Sequence, residues 1–153
     1  MAVLMLIACA RDPGPDKALY EPRDGSFTLA APRSWRVDEA QGEAHRVSFF
    51  GPPGTFTESI AVYRYDGMTA VSYRTSHAGS GAGPLTARPD GRSEFLAKSF
   101  SPALHGRPPE ELAVRHVLAA SETGLWALVH TVPAGRAPSP AFEDLVASFK
   151  GKP

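Results

Sequence analysis

The chain has 153 residues, with 16 Lys+Arg balanced by 16 Asp+Glu, a length that suits one domain with one core and a charge that gives nucleic acid no basic stripe to bind. Its 42% hydrophobic content excludes intrinsic disorder, and a single cysteine excludes a disulfide framework within the chain. With 14 Gly and 15 Pro, the sequence predicts many short strands and loops.

Residues Ala2–Ala8 are uniformly apolar and end at Cys9, and the run Arg11-Asp12-Pro13-Gly14-Pro15-Asp16-Lys17 that follows is polar. The apolar run is too short to cross a bilayer, which takes about 20 such residues, and it fits the end of a secretory leader. Leu6-Ile7-Ala8-Cys9 resembles the lipobox of bacterial lipoproteins. The resemblance implies lipidation of the Cys9 thiol and cleavage before it, leaving residues 1–8 as a leader remnant. A diacylglyceryl group supplies two acyl chains, which is what stable anchoring requires. No Lys or Arg precedes the run, so a basic segment is expected upstream of Met1. Ala10 in place of an acidic residue points to the outer membrane, by analogy with enteric lipoproteins. The alternative is a buried N-terminal strand with a free core cysteine.

Residues 9–24 read as a lipidated cysteine and tether, because Arg-Asp-Pro-Gly-Pro-Asp offers no periodic apolar face. Residues 25–150 read as a single domain. Gly25–Leu29 alternates as a short strand, Ala31-Pro32 turns the chain, and Trp35-Arg36-Val37 is extended. His45–Phe50 is a strand ended by Gly51-Pro52-Pro53-Gly54. Glu58–Tyr65 follows, with Ile60 and Val62 on one face and Ala61, Tyr63 and Tyr65 on the other. Thr69–His77 predicts a short helix, residues 79–93 a mobile loop, Phe95–Phe100 a strand and residues 101–109 a second loop. Leu112–Ala120 and Leu125–Val132 form a hairpin through a three-residue loop, Glu122-Thr123-Gly124, with Gly124 left-handed. That register sets His116 opposite His130. The last element is a helix capped by Ser139, with Pro140 at its first position. Phe142, Leu145, Val146 and Phe149 form its apolar stripe, and Lys150-Gly151 ends it.

Phe27-Thr-Leu-Ala-Ala-Pro32 with Trp35-Arg-Val37, Ser59–Tyr63, Gly124–Pro133 and Phe142–Lys150 together resemble the PsbP-like family, which includes bacterial lipoproteins. The resemblance spans residues 25–150. It implies an α+β fold, an antiparallel β-sheet flanked by helices in an α/β/α sandwich. It also implies a scaffold or partner-binding role without an active site, so no catalytic residue carries over and no cofactor is expected.

The residues themselves offer no G-x-S-x-G elbow, H-E-x-x-H or P-loop. Gly79-Ser-Gly-Ala-Gly83 is followed by Pro84 and preceded by no apolar strand, so it reads as a flexible loop rather than a phosphate cradle. Glu110-Glu111 and Glu143-Asp144 read as a loop end and a helix first turn. Paired across the hairpin on a buried face, His116 and His130 are candidate ligands for zinc or copper or a proton-sensitive pair, or else neutral core residues. Tyr63, Arg64, Tyr65, Tyr73 and Arg74 combine the residue types enriched at interfaces and form a candidate partner surface, or else a solvated sheet rim.

These observations lead to one expectation. The chain is a lipid-anchored extracytoplasmic domain on the periplasmic side of the cell envelope, held to the membrane through Cys9, binding or stabilising a protein partner, neither catalysing nor binding nucleic acid. The alternative is a small-molecule or metal carrier using a sheet face or the 79–93 loop.

Overall fold

The computed structural model describes residues 16–39, 42–52, 58–77, 81–101 and 108–152. Alternating apolar and polar side chains produce β1 (Lys17–Tyr20), β2 (Phe27–Pro32), β3 (Arg36–Glu39), β4 (His45–Phe50) and β5 (Ser59–Asp66). Then come α1 (Ala70–His77), β6 (Thr86–Ala87), β7 (Ser93–Phe100), β8 (Glu111–Ala120), β9 (Gly124–Pro133), α2 (Ala141–Ser148) and β10 (Lys150–Gly151). The larger sheet has the order β3-β4-β5-β9-β8-β7-β6, and β1-β2-β10 form a smaller one. Every paired strand in both is antiparallel.

The larger sheet is covered on both faces. On one, Val47, Phe49, Ile60, Val62, Val117, Trp126 and Leu128 pack beneath β2 and α2, which contribute Phe27, Leu29, Phe142, Leu145 and Val146. Burying a side chain of that size contributes about 1.5–3 kcal/mol, so α2 is held by its stripe rather than by its eight-residue length. On the other face, Phe95, Leu118, Leu125 and Ala127 pack under Tyr73 of α1. The result is an antiparallel sheet between helical layers, the α/β/α arrangement of the expected α+β class.

A charge cluster clamps α2 to the sheet. Arg88 donates to Glu94 at 2.8 Å and Glu143 at 3.0 Å, while Arg115 reaches the same two carboxylates. Burial alone would raise the pKa values of Glu94 and Glu143, but the hydrogen bonds from Arg115 and Arg88 outweigh it and hold both low. Glu143 and Asp144 do lie in the first turn of α2.

Several expectations need correction. Residues 17–20, expected within a tether, pair with β2 as β1, because Ala18 and Tyr20 find partners on a strand far richer in apolar residues. Ala31-Pro32 does not turn the chain but completes β2. Residues 86 and 87 of the expected loop pair with β7, and Lys150-Gly151 joins β2 as a strand. Ser139 does not cap α2. Pro140 holds the N-cap position with no side-chain hydrogen bond, and Ser139 binds a buried carboxylate instead.

The hairpin register is also off by one residue. Ala120 pairs with Leu125, His116 with Val129 and Arg115 with His130, so the connection is the two residues Glu122-Thr123. Gly124 belongs to β9, and its φ is not positive. It must be glycine because a β-carbon there would strike the Tyr65 carbonyl oxygen as β5 passes. A one-residue slip moves every side chain to the other face. His116 and His130 therefore lie on opposite faces of the sheet and do not share a metal site.

Candidate functional site

β5 carries the residues of interest on its α1-side face. A bulge between His45 and Val47 shifts the β4 register so that His45 stands opposite Tyr63. Its ring stacks on Tyr63 with centroids 4.9 Å apart, and its Nε2 meets Ser48 Oγ at 2.9 Å. Tyr63 stacks in turn on Tyr65 at 6.1 Å, and Tyr65 meets Tyr73 at 5.3 Å and His77 at 5.0 Å, both edge to face. Tyr73 and His77 stack at 4.3 Å, and the His77 Nδ1–H donates to the Tyr73 carbonyl at 3.1 Å. The rings form one continuous row, half-buried from His45 to Tyr65 and exposed at His77.

The row is rooted in the core. Tyr73 is 2% exposed, and its hydroxyl donates to His116 Nδ1 at 3.1 Å. His116 stacks on Phe95 at 4.4 Å. Burial lowers the His116 pKa to about 4, with the nearby His77 acting in the same direction. The ring is neutral, accepts at Nδ1 and keeps its own proton on Nε2. Desolvation raises the hydroxyl pKa values of Tyr63 and Tyr65, so both stay protonated donors at neutral pH. Such a row offers rigid, amphipathic contact area, with rings already held in place by stacking.

Of the five residues read as a partner surface, only some come together. Tyr63 and Tyr65 do, with Tyr73 beneath them. Arg64 points to the opposite face, where it donates to Asp66, the Lys152 carbonyl and Thr123 and lies 5.1 Å over the Trp126 ring. Arg74 is tied to the Gly83 and Ala82 carbonyls. Sequence pattern marks neither His45 nor His77 as a member of the row: His45 joins it through the bulge, and His77, although inside the expected helix, joins it through its contacts with Tyr65 and Tyr73. Cys9 lies outside the described residues, as does part of the glycine run at 79–83.

The other face holds a second polar group. Glu58, 7% exposed, accepts three hydrogen bonds on Oε1: from His130 Nε2 at 2.6 Å, Ser139 N at 3.2 Å and Ser139 Oγ at 2.9 Å. His130 stacks on Phe142 at 4.6 Å, and desolvation lowers its pKa despite the opposing pull of Glu58. A nucleophilic triad needs the imidazole between hydroxyl and carboxylate. Here the carboxylate is central and takes the hydrogen bonds of both His130 and Ser139, so the arrangement is not that of a triad. The group fastens the start of α2 to β5 and β9. Among the described residues no group of three or more His, Cys, Asp or Glu is placed to hold a metal ion.

No protein-family model and no curated protein sequence matches the chain. Solved structures match its fold. A Bacteroides thetaiotaomicron protein aligns with a TM-score of 0.63 and 13% identity over 91% of this chain, which spans 50% of that protein's length. The Saccharomyces cerevisiae Ran-binding protein Mog1p aligns with a TM-score of 0.62 and 9% identity, over 90% of this chain and 96% of Mog1p. The cyanobacterial PsbP (CyanoP) of Synechocystis aligns with a TM-score of 0.52 and 10% identity, over 96% of this chain and 99% of that protein. The chain thus has a Mog1/PsbP-like α+β fold.

Proposed function

We propose that this chain is a non-catalytic binding or accessory domain that docks a protein partner on the His45–Tyr63–Tyr65–His77 row and is tethered outside the cytoplasm through lipidated Cys9. The observation that carries the reading is the row itself. Tyrosines held in one geometry by stacking lose little conformational entropy on binding, and they are the residue type enriched where interfaces concentrate their energy. Among the described residues, the hydroxyl, imidazole and carboxylate at Ser139, His130 and Glu58 do not have the order of a nucleophilic triad. The fold agrees with this reading, since one of its neighbours, Mog1p, is a Ran-binding protein.

The anchor follows from the apolar run that ends at the only cysteine. Because β1 begins at Lys17, residues 10–16 alone separate Cys9 from the domain, and they reach about 25 Å at most. The chain enters beside Pro32, Trp35 and Ser139, which with Asp16 line one cavity of about 230 Å³. Tyr65 pairs with Leu125 near the hairpin turn, at the opposite end of the sheet. A short anchor at one end would thus hold the tyrosines toward the aqueous side. Among the described residues no helix is long and apolar enough to cross a membrane.

The test uses protein expressed with its native upstream sequence. Mass spectrometry of the membrane fraction should find Cys9 as a diacylglyceryl-modified N-terminus. Crosslinked capture from the same membranes should recover one partner in stoichiometric amount with wild type and not with Tyr63→Ala/Tyr65→Ala. An unmodified Met1 refutes the anchor, and undiminished capture by the double variant refutes the docking face.

A further inference from the structure

Where β9 ends, on the face opposite the tyrosine row, a cavity of about 220 Å³ opens between Glu58 and the loop that leads into α2. Val132, Pro133 and Ser139 line it beside Glu58, and the exposed Arg136 and Ala137 stand at its mouth. It is smaller than the sites that take drug-sized molecules, so its occupant is small.

Glu58 supplies the charge of this wall. Its Oε1 already accepts from His130 and twice from Ser139, whereas Oε2 accepts from no described residue and is not sealed from solvent. The side chain keeps 8% of its accessible surface and the residue borders the cavity, so an occupant reaches it there. The donors on Oε1 are all neutral. Desolvation lowers the His130 pKa, which leaves that ring uncharged at neutral pH. Among the described residues no lysine or arginine makes an ion pair with Glu58. A carboxylate this deeply buried is ordinarily paired with a cation. Ser139 Oγ gives its proton to Glu58 and keeps lone pairs with which to accept. Two acceptors and one negative charge thus meet in a cavity whose other walls, Val132, Pro133 and Ala137, are apolar.

We propose that this cavity binds a primary ammonium group on a short alkyl chain, the ammonium donating to Glu58 Oε2 and Ser139 Oγ. Val132, Pro133 and Ala137 contact the alkyl chain. One carboxylate and one hydroxyl are too few ligands for a divalent metal ion, which takes six or more oxygens. An anion would meet the Glu58 charge, and Arg136, the cation of this wall, makes no ion pair with that carboxylate. The alkylammonium is that of a free amine or of a partner's lysine side chain. The inference is independent of the docking face, which lies across the sheet.

Butylammonium and butanol, alike in shape and different in charge, are the probes. The full-length chain, labelled with ¹⁵N in detergent, is titrated with each at neutral pH while the Ser139 backbone amide, which donates to Glu58, is followed. Butylammonium should move that signal and saturate in roughly the millimolar range, as suits so small a ligand, and butanol should leave it in place. Glu58→Gln keeps an oxygen acceptor for His130 and Ser139 but loses the charge, and should weaken butylammonium binding about tenfold or more. Ala137→Leu, at an exposed position, fills the mouth and should also weaken binding while every polar partner is kept. A Ser139 signal unmoved by butylammonium, or moved equally by butanol, would overturn the proposal. Undiminished affinity in Glu58→Gln would overturn the carboxylate contact, and in Ala137→Leu the placement in this cavity. Nα-acetyl-lysine methylamide, which carries the same butylammonium on a peptide unit, separates the sources: equally tight binding assigns the site to a lysine side chain, and weaker binding to a free amine.

Discussion

Replacing His116 with Phe should flatten the acid side of the stability profile. The native ring is 7% exposed and titrates at about 4, against 6.5 for an unperturbed imidazole, because burial and then the His77 charge disfavour its protonated form. Between those values the unfolded chain binds a proton that the native chain does not. Stability is therefore intact above about pH 6.5, falls as pH drops below it, and is fully lost only below about 4. The whole displacement is worth roughly 3 kcal/mol, of which about 2 kcal/mol falls between pH 7 and pH 5. That upper window avoids Asp24, Asp90, Glu94 and Glu143, whose pKa values are held low and whose contributions fade in stronger acid. His130 titrates in wild type and variant alike, so it cancels in the difference. Urea unfolding of both proteins at pH 7 and pH 5 measures the effect. Phenylalanine keeps the stack on Phe95 but leaves the Tyr73 hydroxyl without its acceptor, so the variant should start about 1–3 kcal/mol weaker at pH 7. It should then lose about 2 kcal/mol less than wild type on going to pH 5. Parallel losses in the two proteins would refute the assignment of a buried, neutral His116.

Three further outcomes follow from the packing. Glu58→Ala strands the His130 and Ser139 donors and should cost about 3 kcal/mol in urea unfolding, where a loss under about 1 kcal/mol would contradict the account. Gly124→Ala should cost about 1–3 kcal/mol by calorimetry through the clash with the Tyr65 carbonyl, and Gly124→Asn should be no milder, whereas a left-handed turn residue would tolerate Asn. Arg92→Ala removes the donors to the Val146 and Phe149 carbonyls, so amide exchange in the last turn of α2 should speed up about tenfold relative to its first turn.

Where one pattern sufficed, the sequence was legible. His45–Phe50 has the expected bounds of β4, because alternation on one side and Gly51-Pro52 on the other leave it no other form. The faces of β5 followed from period two, and the α2 stripe from its spacing: Phe142, Leu145 and Val146 are all buried. What failed depended on partners far away in the chain. Gly124 has the look of a turn residue, and only the approach of Tyr65 explains it. That single misreading shifted the hairpin by one residue and set His116 and His130 on the same face. Ser139 has the look of an N-cap, yet Glu58, 81 residues earlier, takes both of its donors. β1 is hidden in a polar run, and its partner strand supplies what its own sequence lacks. The candidate row was visible only as Tyr63 and Tyr65, since His45 joins through a bulge and Arg64 leaves for the opposite face.

Site-specific photocrosslinking tests the docking claim most directly. A benzophenone side chain at position 65, on the tyrosine row, is compared in native membranes with one at position 96, where Leu96 is 63% exposed on the opposite face of the sheet. The account predicts one discrete protein adduct from position 65 and none from position 96. Adducts of equal yield at both positions, or none at position 65, would contradict it.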